Sequence, residues 1–227
     1  MIDSGTSIVS LSQFPIFETL TEEEKKRLES MAELKVKPKF SYIYLPDEPS
    51  DNIYFLAKGA IKIGTHSDDG KEVIKSLIQP LAMFGELGII GESRRQDFAQ
   101  ALREEVYVYV LKVEDFKKLM RSNFQLCDRV MTLFGNRLMR AENKLESLIF
   151  KDARTRIIDF IKDSVARSGR RVGYEMLLKH SLTHQDIANI TCTSRQTVTL
   201  VLNELRKSDL IYFNRGKILV RDMTKLA

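Results

Sequence analysis

Near the middle of the stretch HQDIANITCTSRQTVTLVLNEL, His184 to Leu205, stand Ser194, Arg195, Gln196 and Thr199. These side chains suit one kind of chemistry. A guanidinium forks onto O6 and N7 of guanine, and a carboxamide pairs with N6 and N7 of adenine. A threonine reaches a phosphate or a thymine methyl. Val198, Val201, Leu202 and Leu205 recur at i, i+3, i+4 and i+7, so the polar set falls on the opposite face of a helix, at its N-terminus. Ser194 caps that helix and, with the free N–H groups there, can also bond a phosphate. A helix over His184–Ile190 precedes it, with the small Ala188 where the two must approach. In a helix-turn-helix the second helix enters the major groove and presents its first residues to base edges. The segment LIYFNRGKILV predicts a hairpin turning at Asn214–Lys217, which adds Arg215 and Lys217 to the same cationic set. An ordinary surface helix is the rival reading. Capping, periodicity, the small residue and the hairpin together weigh against it.

The elements that must position this reader come in three parts. Residues 1–122 read as short helices followed by strands. Thr21 with Glu24 forms a capping box ahead of a helix, and from Val36 to Val113 the alternation is that of strands broken by turns. Two hairpins are expected there, one turning near Lys58–Gly59 and one at Asp69–Gly70, within a small antiparallel barrel or jelly roll. Residues 123–150 form a long helix. Phe124, Cys127, Met131, Phe134, Leu138, Ala141, Leu145 and Leu148 are spaced 3, 4, 3, 4, 3, 4, 3, a heptad seam that favours two helices side by side in a homodimer. The alternative is a helix lying on its own barrel. Residues 151–227 make the reader: Asp152 caps a helix over Arg154–Val165, RSGRRVG is a basic loop, and the two helices and hairpin follow. The fold class is therefore α+β, with a β-roll, a dimerisation helix and a winged helix-turn-helix.

Charge agrees with that division. The chain of 227 residues carries a net +5, but from Lys151 on there are 15 Lys and Arg against 8 Asp and Glu, while the first 150 residues hold 21 against 23. A basic C-terminal third suggests a segment that meets a polyanion such as double-stranded DNA, the rival being a basic face that is merely solvated. The start, MIDSGTSIVS, has no basic region of a signal peptide, and no apolar run is of membrane-spanning length, so a cytoplasmic protein without membrane association is expected. The two cysteines, Cys127 and Cys192, make no disulfide framework. An enzyme on the β-roll would need clustered imidazoles, and of three histidines only His66 lies among the strands. Nor is there a nucleophile elbow, a Walker loop or a His-Glu-x-x-His helix. No enzyme, metal or iron–sulfur cluster is expected, and the effector is unknown. A binding module that keeps the fold without DNA would be expected to lose the basic face formed by Arg195, Arg206, Lys207, Arg215 and Lys217.

The reader segment resembles the C-terminal domain of the cyclic-AMP receptor/FNR family of bacterial transcription regulators. IYFLAKGAIKI, DDGKEVIKSLI and FGELGII resemble that family's nucleotide-binding β-roll, and NRLMRAENKLESLIFKDARTRI its dimer helix and hinge. The resemblance spans nearly the whole chain. It implies an effector site at Gly85, Glu86 and Leu87, where glycine lets backbone N–H groups approach phosphate and the carboxylate accepts from a ribose hydroxyl. The family's phosphate-holding Arg-Ser falls at Gln96–Asp97, with Arg94 and Arg95 one or two residues early. Its adenine-reading Thr-Ser falls at Ala141–Glu142, leaving Glu142 to accept from a base. Cyclic AMP is therefore doubtful as effector. In the reader helix Gln196 replaces a Glu and Leu200 replaces the second Arg of members that read TGTGA. Cys192 stands in the turn where Gly is common. The resemblance also implies a contact between Ala166–Gly173 and RNA polymerase.

Overall fold

The structure, a computed structural model, describes residues 8–214 and 216–226. It divides into two compact units, one of residues up to Gly70 with Lys75–Leu138, the other of Lys71–Ile74 with the chain from Met139 on.

In the first unit, two 3-10 turns (Leu11–Gln13 and Pro15–Phe17) lead into α1 (Glu22–Met31). The Thr21 hydroxyl accepts from Glu24 N, and the Glu24 carboxylate accepts from Thr21 N, so the expected capping box is formed. Eight strands follow: β1 (Glu33–Lys37), β2 (Tyr42–Tyr44), β3 (Asn52–Lys58), β4 (Ile61–His66), β5 (Glu72–Ile78), β6 (Met83–Phe84), β7 (Phe98–Ala101) and β8 (Val106–Lys112). They form two sheets in the orders β1-β8-β3-β6 and β2-β7-β4-β5. Between the sheets pack Tyr44, Tyr54, Leu56, Ile61, Ile63, Phe84 and Val108. The other face of β3 carries Ile53, Phe55 and Ala57 into a second core with Phe14, Phe17, Phe116 and Leu126. Covered on both faces, β3 has no need to alternate, and its sequence NIYFLAK is almost continuously apolar.

The hairpin expected at Lys58–Gly59 is a correction. β3 and β4 follow each other closely but lie in different sheets, so the turn is a corner that carries the chain from one layer to the other. Gly59 has φ +90, and a Cβ there would lie 2.8 Å from the Glu105 carbonyl oxygen and 2.7 Å from Val106. Only glycine fits. The turn at Asp69–Gly70 does join neighbouring strands, β4 and β5.

After α2 (Val113–Ser122), Asn123 accepts from Leu126 N at 2.9 Å and so starts α3 (Phe124–Phe150). The second unit continues through α4 (Ala153–Ser168), β9 (Arg170–Val172), β10 (Glu175–Lys179), α5 (His184–Thr191), α6 (Arg195–Lys207), β11 (Ile211–Asn214) and β12 (Lys217–Val220). Asp152 caps α4 through Thr155 N at 2.8 Å, and that bond holds its carboxyl below the usual range. The basic loop expected at RSGRRVG is corrected too: Arg170–Val172 pairs antiparallel with β10 in a sheet ordered β11-β12-β10-β9. Pairing overrides the charged composition there. Ile157, Ile161, Ile187, Ala188, Val198, Leu202, Ile218 and Val220 form the core beneath helices and sheet.

Candidate nucleic-acid interface and sensor loop

Two capped helix starts define the reader. Thr183 accepts from Asp186 N at 2.9 Å and opens α5, while Ser194 accepts from Thr197 N at 3.0 Å and opens α6. Each such cap contributes about 1 kcal/mol. Ala188, fully buried, allows the two helices to meet. Cys192 ends α5 in the left-handed conformation, φ 52 and ψ 53, the strained turn that its replacement of glycine implied. Arg156 of α4 spans this turn: its Nε donates to Thr191 O at 2.9 Å and its Nη2 to Cys192 O at 3.2 Å. Sequence reading missed Arg156, because its partners lie 35 and 36 residues away.

Val198, Val201, Leu202 and Leu205 are buried, and Ser194, Arg195 and Gln196 are exposed on the opposite side of α6. Leu200, four residues after Gln196, is 70% exposed on that face. Thr199 is half-buried, and its hydroxyl donates back to the Arg195 carbonyl at 2.9 Å while lying 3.0 Å from His184 Nδ1. That hydroxyl is engaged within the protein. Lys217 is exposed at the start of β12, whereas Arg215 lies outside the described residues. Arg206 covers the ring of Phe213 on β11 at 5.1 Å, tying the wing to α6.

Along α3 the heptad seam is largely uncovered in the single chain: Phe124, Met131, Leu138, Ala141, Leu145 and Leu148 are exposed. Cys127 and Phe134 are half-buried, and Phe134 packs on the core that holds Leu126 and Val130. The helix therefore carries two apolar stripes, one on its own barrel and one outward.

Around the FGELGII loop, most of the residues that the resemblance assigns to an effector are engaged with the protein itself. Gly85 has φ +68, and a Cβ would press 2.8 Å from the Tyr54 ring, so its glycine is needed for close packing. Glu86 is buried, and its Oε1 accepts from Arg137 of α3, which also donates to Met83 O. Leu87 is partly exposed. Arg95 is buried, donates to Gly85 O at 2.8 Å and to Asn52 O, and stacks 4.5 Å over the ring of Tyr44. Arg94 is exposed and donates to Asp47 O at 2.6 Å. Asp97 meets Lys75 Nζ at 3.4 Å, and its burial raises its pKa. Tyr44 beside it is pushed above the ordinary tyrosine range by burial first and then by the Asp97 charge. Glu142 is exposed on α3. Among the described residues no helix is long and apolar enough to cross a membrane, and no three His, Cys, Asp or Glu side chains are grouped to hold a metal.

A β-roll followed by a winged helix-turn-helix is the arrangement of a class of DNA-binding regulators. Two family models match in that order, "Cyclic nucleotide-binding domain" over residues 34–123 and "Crp-like helix-turn-helix domain" over residues 155–227. The chain belongs to the CRP/FNR family of transcription regulators, whose helix-turn-helix members bind DNA as dimers. It is 27% identical over 190 residues to the "CRP-like cAMP-activated global transcriptional regulator" of Mycobacterium tuberculosis, covering 84% of each chain. It is 26% identical over 179 residues to the "Global nitrogen regulator" of Synechococcus elongatus, covering 78% of this chain and 81% of that one. In fold it is similar to FixK2 from Bradyrhizobium japonicum, with a TM-score of 0.77 at 22% identity, covering 86% of this chain and 95% of that one.

Proposed function

We propose that the chain is a cytoplasmic, homodimeric regulator, and not an enzyme, that reads a pseudo-palindromic DNA site through α6 and responds to an effector other than cyclic AMP or to none. The observation that carries the DNA reading is Arg195 and Gln196, exposed together at the capped start of a helix whose opposite face is buried. Ser194 and Lys217 supply phosphate contacts, and Arg215 is assigned to the same role from the sequence. The outward stripe from Phe124 to Leu148 supports a dimer through α3. The hairpin of β9 and β10, with Arg170, Arg171 and a 95% exposed Tyr174, supports a contact with RNA polymerase.

The mycobacterial relative is described as cAMP-activated. The residues of this chain do not fit a cyclic phosphate. Gln96 carries no charge, and Asp97 brings a carboxylate already paired with Lys75. The guanidinium of Arg95 is buried against Gly85, Asn52 and Tyr44, and Arg94 is held by Asp47 O. Selecting bound sequences from a random double-stranded pool tests the reading as a whole. Two inverted half-sites about one helical turn apart are expected. Enrichment of no motif would overturn specific DNA recognition.

A further inference from the structure

His184 opens α5 and Arg195 opens α6, and a two-bond chain joins the two helix starts through Thr199. The Thr199 hydroxyl has a single proton, and it goes to the Arg195 carbonyl at 2.9 Å. Its oxygen is then an acceptor, so the 3.0 Å contact with His184 is a donation from imidazole Nδ1. That fixes the tautomer. Nδ1 carries the proton of the neutral ring, and a second proton can be taken up only on Nε2.

The surroundings favour the neutral ring in the protein alone. Burial is the larger influence and the Arg195 charge the smaller, and both lower the pKa of His184. From the wing, Phe213 meets the ring at a centroid distance of 5.9 Å and brings no charge. Arg206 of α6 lies on Phe213. On α5 itself Asp186 is committed to Thr183, accepting from its N–H at 2.7 Å and its hydroxyl at 2.6 Å. The charged neighbour that acts on His184 is thus a cation, and it is the same Arg195 that the DNA reading sends to a base edge.

We propose that His184 is a DNA-contacting residue whose Nδ1 positions Thr199 on the reader helix and whose Nε2 takes up a proton as it meets the phosphate backbone, so that DNA binding is coupled to proton uptake. The inference rests on the reading that α6 carries the DNA face. A phosphate beside the ring and an Arg195 drawn onto a base both favour the imidazolium, so the pKa is higher on DNA than off it. Affinity then rises as pH falls between those two values, by up to about tenfold per pH unit for each protomer, and levels off below the lower one. The bond to Thr199 makes the same ring a positioning residue for the start of α6.

The test measures specific DNA binding of the full chain from about pH 6 to pH 8, with calorimetry in buffers of different ionisation enthalpy to count protons taken up. His184→Asn keeps a donor near Nδ1 but cannot become a cation. His184→Arg carries a permanent charge. The wild type is expected to bind more tightly at low pH with net proton uptake, His184→Asn to lose most of that uptake and slope, and His184→Arg to bind with a flat profile, tighter than wild type at the alkaline end. Equal proton uptake by wild type and His184→Asn overturns the inference and leaves the DNA reading standing. A wild type that binds no selected DNA at any pH in the range overturns both.

Discussion

Arg137, on the long helix α3, closes an ion pair with the buried Glu86 at the start of the FGELGII loop and donates a second bond to the Met83 carbonyl. The helix that offers an apolar stripe outward is thereby held to the loop where the family resemblance places an effector. Arg137→Ala would leave a buried carboxylate without its cation. A loss of about 3 kcal/mol or more in unfolding free energy is expected, and Arg137→Met with Glu86→Gln should recover most of it. Denaturant melts of the wild type and both variants decide the matter. A single variant within about 0.5 kcal/mol of wild type would show that the pair contributes no net stability.

Arg195 and Lys217 should separate base reading from backbone attraction. Arg195→Ala is expected to cost about 1–3 kcal/mol on a selected site and much less on random DNA. Lys217→Ala should weaken both kinds similarly and make the salt dependence shallower. Fluorescence anisotropy titrations at several salt concentrations measure both. Equal losses on the two kinds of DNA for Arg195→Ala would make it a phosphate contact.

Leu200 is an exposed apolar residue on the α6 face that carries Arg195 and Gln196, where the resemblance places an Arg in members that read TGTGA. It is expected to lie against a thymine methyl. In a repeated sequence selection, Leu200→Arg should bring guanine into the half-site at the position it faces, while Leu200→Ala should weaken the preference there by roughly 1 kcal/mol. An unchanged motif from both variants would remove Leu200 from the reading set.

The outward stripe of α3 should be the dimer seam. Leu138→Glu combined with Leu145→Glu places four like charges in a two-helix interface, which packing does not offset. Sedimentation should show monomers with greatly weakened operator binding. A double variant that remains a dimer with normal binding would move the interface off this helix.

Cyclic AMP should bind poorly. Each missing charge-assisted hydrogen bond to the phosphate is worth about 1.5–3 kcal/mol, so two of them weaken affinity by roughly two to four powers of ten. Calorimetric titration is expected to show no binding or a millimolar constant. A micromolar constant together with tighter operator binding would mean that the loop carrying Arg94 and Arg95 rearranges to meet the phosphate.

Features set by short-range rules were legible in the sequence: the Thr21–Glu24 box, the Asp152 and Ser194 caps and the apolar period of α6. What escaped depended on contacts distant along the chain. Gly59 announced a turn, but no local signal says whether flanking strands pair or part into two layers. Arg94 and Arg95 are the same residue type side by side; packing alone sends one outward and the other beneath Tyr44. Arg170–Val172 looked like a loop because it is short and basic, and only its bonds to β10 make it a strand. His184 reads in the sequence as a helix start, and nothing in its neighbours indicates that it reaches Thr199 fifteen residues on.

The turn between α5 and α6 is tied by Arg156, a residue that precedes the two-helix motif and belongs to neither of its helices. A strained Cys192 backbone is thus secured from a third helix, which makes the reader a three-helix unit in its tolerances. Transplanting Thr183–Lys207 into another scaffold would carry both capped helix starts and still lose the tie across the turn that joins them. A graft that preserves recognition has to bring Arg156, and the α4 surface that aims it, along with the letters it reads.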